Sequence, residues 1–103
     1  MGTSVRGALD GRYSKDPDFV FRRIADEVLL LPIRRNMGDL ESVYALNAVA
    51  ARVWEWLDGR RTGREIRDLI VGEFDVSPET AEADLEDLLR RLAEIGAVRM
   101  SAP

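Results

Sequence analysis

The 103-residue chain contains no cysteine and no histidine. Without cysteine there is no disulfide framework, no thiolate nucleophile and no thiolate metal site. Without histidine the commonest general base and metal ligand at neutral pH is missing as well. Nor does any stretch approach the roughly 20 apolar residues that a membrane-spanning helix requires; the run VLLL at 28–31 is short and reads as a core strand. The opening MGTSVRGALDGR has no apolar run that could act as a secretory signal, and Arg6 breaks the myristoylation pattern that Met1-Gly2 could begin. The expectation is a cytoplasmic protein with no membrane association. There is no glycine-rich phosphate loop, no nucleophile–base pair and no metal-ligand spacing. Asp84 and Asp87 share a helix face, but carboxylates at that spacing without such company are explained by surface solvation. The chain is therefore read as not an enzyme, with no cofactor and no metal.

What is present is enough for one small folded domain. Hydrophobic residues make up 46% of the sequence, which suffices for a core but leaves no room for a separate catalytic domain. Charge is uneven: residues 1–35 carry seven Arg or Lys against five Asp or Glu, and 36–103 carry eight against fourteen. An acidic second part repels phosphate, so nucleic acid is disfavoured as a partner.

Residues 1–17 are polar, with glycines at 2, 7 and 11 and no periodicity, and are expected to form a flexible tail ahead of a folded domain at 18–103. Residues 18–24 (DFVFRRI) and 27–33 (EVLLLPI), joined by a tight turn at Ala25-Asp26, predict a hairpin. Pro32 cannot donate to a ladder and marks the end of the second strand. Residues 34–40 read as a loop with Asn36 and Gly38 as turn formers, and 41–46 as a third strand, giving an antiparallel meander with an exposed edge.

The chain is organised around residues 42–59, SVYALNAVAARVWEWLDG. Alternation at 42–46 ends at Asn47, whose carboxamide can cap a helix with Val49, Ala50, Val53, Trp54, Trp56 and Leu57 on a broad apolar face. Asp58-Gly59 is expected to stop it. Thr62 and Glu65 have the spacing of a capping box for a second helix, with Ile66, Leu69, Ile70 and Phe74 as its stripe. Ser77-Pro78 starts a third, with Ala81, Leu85, Leu88, Leu92 and Ile95 in register, Leu89 widening the stripe and Gly96 as the stop. Residues 97–100 could add a last short strand. The fold expected is α+β and winged helix-turn-helix-like: a three-stranded antiparallel sheet followed by three α-helices.

Three functional classes meet this outline. A DNA-binding regulator would present Arg, Lys, Asn or Gln from the third helix, yet that helix carries Glu79, Glu82, Asp84, Glu86, Asp87 and Glu94 against Arg90 and Arg91. Such a regulator would have to use the cluster Arg60, Arg61, Arg64 and Arg67, or Arg34 and Arg35. A dimerisation module would pair the edge strand with its own copy, giving a homodimer. A peptide-binding module would accept an extended segment at the same edge, with pockets from a neighbouring helix.

Leu46-Asn47, the alanine-rich turn, Val53-Trp54, Leu57-Asp58-Gly59, Thr62, Ile66, Asp84-Leu85, Leu88-Leu89 and Ile95-Gly96 occur in an order that resembles the PqqD family over about residues 21–100. That family comprises peptide chaperones of pyrroloquinoline quinone biosynthesis and the recognition elements of enzymes that modify ribosomally made peptides (RiPPs). The resemblance implies non-catalytic binding of a precursor's leader segment as a strand beside residues 42–46. It implies delivery of that precursor to a maturation enzyme, often a radical-SAM protein. The implied groove is formed by Ser42, Val43, Tyr44, Ala45 and Leu46 on one side and by Asp84, Leu85, Asp87, Leu88, Arg91 and Leu92 on the other. Asp84, Asp87 and Arg91 would be rim charges. Members of the quinone pathway usually carry a cysteine where this chain has Leu57, and a shorter connection than residues 34–40. The resemblance therefore points to a recognition domain for a different modified peptide.

Overall fold

The computed structural model describes residues 9–33 and 43–101. They form a mixed α+β fold: β1 (Arg12–Lys15), β2 (Phe19–Ile24), β3 (Glu27–Pro32), β4 (Tyr44–Leu46), α1 (Ala48–Trp56), β5 (Asp58–Thr62), α2 (Gly63–Glu73), α3 (Pro78–Glu94) and β6 (Val98–Ser101). Two three-stranded antiparallel sheets result, ordered β2-β3-β4 and β5-β1-β6.

The first sheet is the expected meander. Phe19 pairs with Pro32 and Ile24 with Glu27 across the hairpin, where Ala25 takes a positive φ of 56° in the turn. Leu30 then faces Tyr44 and Val28 faces Leu46, so β3 is central and β4 is an edge. Of the third strand expected at 41–46, residues 41 and 42 lie outside the described residues, as does the loop at 34–40.

The second sheet corrects the reading of 1–17 as a flexible tail. Residues 12–15 of that stretch are the middle strand: Arg12 pairs with both Thr62 and Ser101, and Ser14 with Asp58 and Arg99. Leu9 and Tyr13 are buried, and so is Asp16, whose carboxylate accepts the Asp18 backbone N–H at 2.8 Å and an Arg99 guanidinium N–H at 3.3 Å. The polar alternation of RYSK hides a strand because only one of its side chains, Tyr13, enters the core. The last strand expected after Gly96 is β6.

The helix signals hold locally. Asn47 Oδ1 accepts from Ala50 N at 2.8 Å at the start of α1. In α2 the capping box closes reciprocally, Thr62 N to Glu65 Oε1 at 2.9 Å and Glu65 N to Thr62 Oγ1 at 3.2 Å. Ser77 caps α3 through Thr80 N at 3.1 Å, with Pro78 in the first turn. At its other end Gly96 (φ 82°) permits the paired bonds Gly96 N to Ala93 O and Ala97 N to Leu92 O, the Schellman arrangement. Gly59 behaves differently from the expectation. Helix α1 already ends at Leu57, and Gly59 (φ 81°) sits inside β5, where the stretch from Asp58 to Thr62 lies against only Ser14 to Arg12. A bulge needs the left-handed backbone there, and glycine supplies it without a Cβ penalty.

The core joins both sheets to the helices. Leu30, Val53, Leu57, Ile66, Ile70, Leu85 and Leu92 are its largest fully buried side chains. On α3 the buried line is Ala81, Leu85, Leu89 and Leu92, so Leu89 rather than Leu88 is the core residue. Leu88 is half-buried and packs at the margin of the core.

Candidate functional site

The short strand β4 hydrogen-bonds to β3 on one side and to no strand of the described residues on the other. Facing it across a cleft of about 620 Å³ is α3. The cleft exists because α3 turns its core line toward α2 and the sheet and leaves the adjoining face, Asp84, Asp87, Leu88 and Arg91, looking at the edge of β4. The floor between them is apolar: Val49, Ala50 and Val53 rise from α1, Leu85 and Leu88 from α3, and Ile70 from α2. The β3–β4 register explains a further contribution: with Leu46 opposite Val28, the segment Asp26-Glu27-Val28 borders the same cleft beside Asn47.

Of the residues expected in a groove, Tyr44, Ala45, Leu46, Asp84, Leu85, Asp87, Leu88 and Arg91 all line this cleft. Leu92 does not; it is fully buried in the core, one helical step away from the open face. Val43 is half-buried, precedes the strand and is also not part of the lining. Ser42 lies outside the described residues. The contributions of α1 and of Asp26 and Glu27 were missed, although sequence signals existed. Val49, Ala50 and Val53 have the one- and four-residue spacing of a single helix face, and an antiparallel meander necessarily sets the start of β3 beside the end of β4.

The rim is charged. Arg91 Nε lies 3.1 Å from Asp87 Oδ2. The Tyr44 side chain, then the Asp87 charge, holds the Arg91 guanidinium protonated even more firmly than usual. Arg91 on the α3 side of the rim and Tyr44 on the β4 side line the same cleft. Asp87 is shared with Arg90, which also pairs with it.

Three of the four arginines of residues 60–67 are engaged elsewhere. Arg61 pairs with Asp58 at 2.9 Å and Arg64 with Asp10 at 3.0 Å, while Arg67 lies 3.0 Å from Asp68 and 3.1 Å from Glu82. With those three charges paired in place and an acidic α3, Arg61, Arg64, Arg67 and α3 assemble no recognition surface for duplex DNA; Arg34 and Arg35 lie outside the described residues. Among the described residues no group of three His, Cys, Asp or Glu side chains could hold a metal ion, and no helix is long and apolar enough to cross a membrane.

Comparison with known proteins bears on what such a cleft does. The sequence model of the family described as coenzyme PQQ synthesis protein D (PqqD) matches residues 27–98, from the start of β3 to the start of β6. A solved structure of TbiB1 in complex with the TbiA(beta) leader peptide is similar with a TM-score of 0.68 and 32% sequence identity, over 87% of this chain and 99% of that one. Lasso peptide synthetase B1 complexed with the leader peptide aligns with a TM-score of 0.69 over 85% of this chain and 98% of that one. Its 20% identity speaks for the fold alone. No curated protein matches the sequence.

Proposed function

The chain belongs to the PqqD family, and from that premise we propose that it binds the leader segment of a ribosomally made precursor peptide and delivers it to a modifying enzyme. The observation that carries this reading is the edge of β4, paired with no second strand among the described residues, standing over an apolar cleft. Backbone N–H and C=O groups of an edge strand are donors and acceptors without ladder partners, and an extended peptide satisfies them residue by residue. Alternate side chains of such a peptide point down into the cleft, where Leu85, Leu88, Val49 and Val53 offer apolar contact. The Asp87–Arg91 pair at the rim orients charged side chains of the ligand and tunes encounter more than affinity.

In this reading the protein does no chemistry itself. It raises the local concentration of the precursor's core segment at the enzyme that modifies it, a radical-SAM protein or an enzyme of another class, in the cytoplasm. The neighbour of 32% identity, solved with a leader peptide, supports the assignment of ligand class. Pairing of β4 with a second copy of the chain would use the same edge, so a homodimer would compete with the peptide.

The test is a titration of isotope-labelled protein with the leader peptide encoded beside its gene, read as amide chemical shifts. Shifts concentrated in Tyr44–Leu46 and α3 are expected. Shifts confined to β5 and β6, or none at all with a monomeric protein, would end this reading.

A further inference from the structure

Ion pairs are frequent over this surface, as between Asp58 and Arg61, Glu82 and Arg67, and Asp87 and Arg91. Three carboxylates of the cleft depart from that habit. Asp26, Glu27 and Asp84 border it, and none has an ion-pair partner among the described residues.

Geometry gathers these three at one end. Leu46 lies opposite Val28, so Glu27 and Asp26 flank the Asn47 end of β4. Tyr44, at the opposite end of β4, and Arg91, in the later part of α3, line the same cleft. Asp84 precedes Arg91 by two helical turns, about 10 Å at 1.5 Å per residue. The step from Tyr44 to Asn47 along an extended strand is also about 10 Å. Asp84, Asp26 and Glu27 line one cleft bounded by these two stretches of matching length, which puts Asp84 toward the Asp26 and Glu27 end. Among the described residues the cleft has a negative end lined by no cation and an end closed by Arg91, with the apolar floor between.

Resting on the leader-peptide reading, we infer that the segment seated in this cleft is an extended peptide that brings a lysine or arginine side chain to the Asp26, Glu27 and Asp84 end. An aliphatic side chain two residues away lies over Leu85 and Leu88. The spacing follows from the strand: residues i and i+2 share a face about 7 Å apart. A long basic side chain suits the site because its methylene stem covers apolar floor while its head stays among the carboxylates. A compact metal ion does not, since no three acidic groups among the described residues converge closely enough to hold one. A segment bearing an acid at this end meets three like charges and is turned away.

The experiment uses the whole chain and the leader peptide encoded beside its gene, synthesised in native form and with each Lys and Arg replaced singly by Met. Dissociation constants are measured for the wild-type protein and for a Glu27→Gln, Asp84→Asn double variant. Both positions are exposed, so the fold should survive, which circular dichroism verifies. One Lys or Arg replacement is expected to weaken binding to the wild type about fivefold, and that loss should vanish against the double variant. If the native leader binds but every replacement is neutral, or the leader contains no basic residue and binds the variant equally well, the inference is overturned while the leader-peptide reading stands. If the native leader does not bind the wild-type protein, both fall.

Discussion

The two sheets have three strands each and are closed in opposite ways. In β2-β3-β4 each strand pairs with the next along the chain, and the last one, β4, has an open side among the described residues. In β5-β1-β6 the earliest strand collects partners from the middle and the end of the described chain, and Tyr13 and Val98 pin it to the core. One sheet is local and leaves a binding edge; the other is long-range and ties the domain together. Stability and recognition are thus expected to respond to substitution at different places.

The largest effect should come from Tyr13→Ala in the long-range sheet. Removing a buried aromatic side chain costs about 3 kcal/mol, read as a shift of the urea midpoint, with the dissociation constant of the remaining folded protein unchanged. A loss of affinity without a loss of stability would break the division between the sheets. Leu88→Ala probes the other side. Because Leu88 is half-buried at the cleft, peptide affinity should fall about tenfold, or ~1.4 kcal/mol, with a smaller change in unfolding midpoint than Leu92→Ala produces. Thr62→Ala opens the capping box of α2, away from both the cleft and the edge, and should cost about 1 kcal/mol of stability while leaving peptide binding alone.

Two smaller effects sharpen the comparison. Arg91→Glu places a second acid beside Asp87 on an exposed helix face. It should weaken leader binding about threefold with no change in unfolding midpoint; unchanged affinity would remove Arg91 from the rim. Asp58 belongs to the long-range sheet. Its carboxylate is held below its ordinary pKa first by the Arg60 backbone N–H and then by that of Arg61. A depressed folded-state pKa contributes stability above the ordinary carboxylate value, about 4, and this is lost as pH falls through the lower folded-state value. Asp58→Asn should therefore flatten the acid limb of the stability–pH curve and leave peptide binding at neutral pH untouched.

The local sheet was legible in the sequence and the long-range one was not. DFVFRRI and EVLLLPI carry their strand character in runs of apolar residues, and α1, α2 and α3 each start at a side chain that caps the helix: Asn47, Thr62, Ser77. By contrast RYSK and DGRRT are polar at nearly every position, because one face of each is solvated and their partners lie far off in the chain. No short window contains the signal that pairs Arg12 with Ser101. The same limit explains the cleft. Its α3 and β4 halves follow from helix and strand periods. The separation of Leu88 from Leu89 depends on how α3 is rotated against α2, which the stripe of leucines leaves open. The contribution of Asp26 and Glu27 needed the strand register.

Because β1 runs beside β6 in antiparallel register, Arg12 next to Ser101, the described chain comes back to the place from which it sets out. Its order of connection is therefore interchangeable in principle. A permuted gene that joins these neighbours by a short linker and opens instead at the exposed turn near Asp75 is expected to rebuild both sheets and present the same cleft.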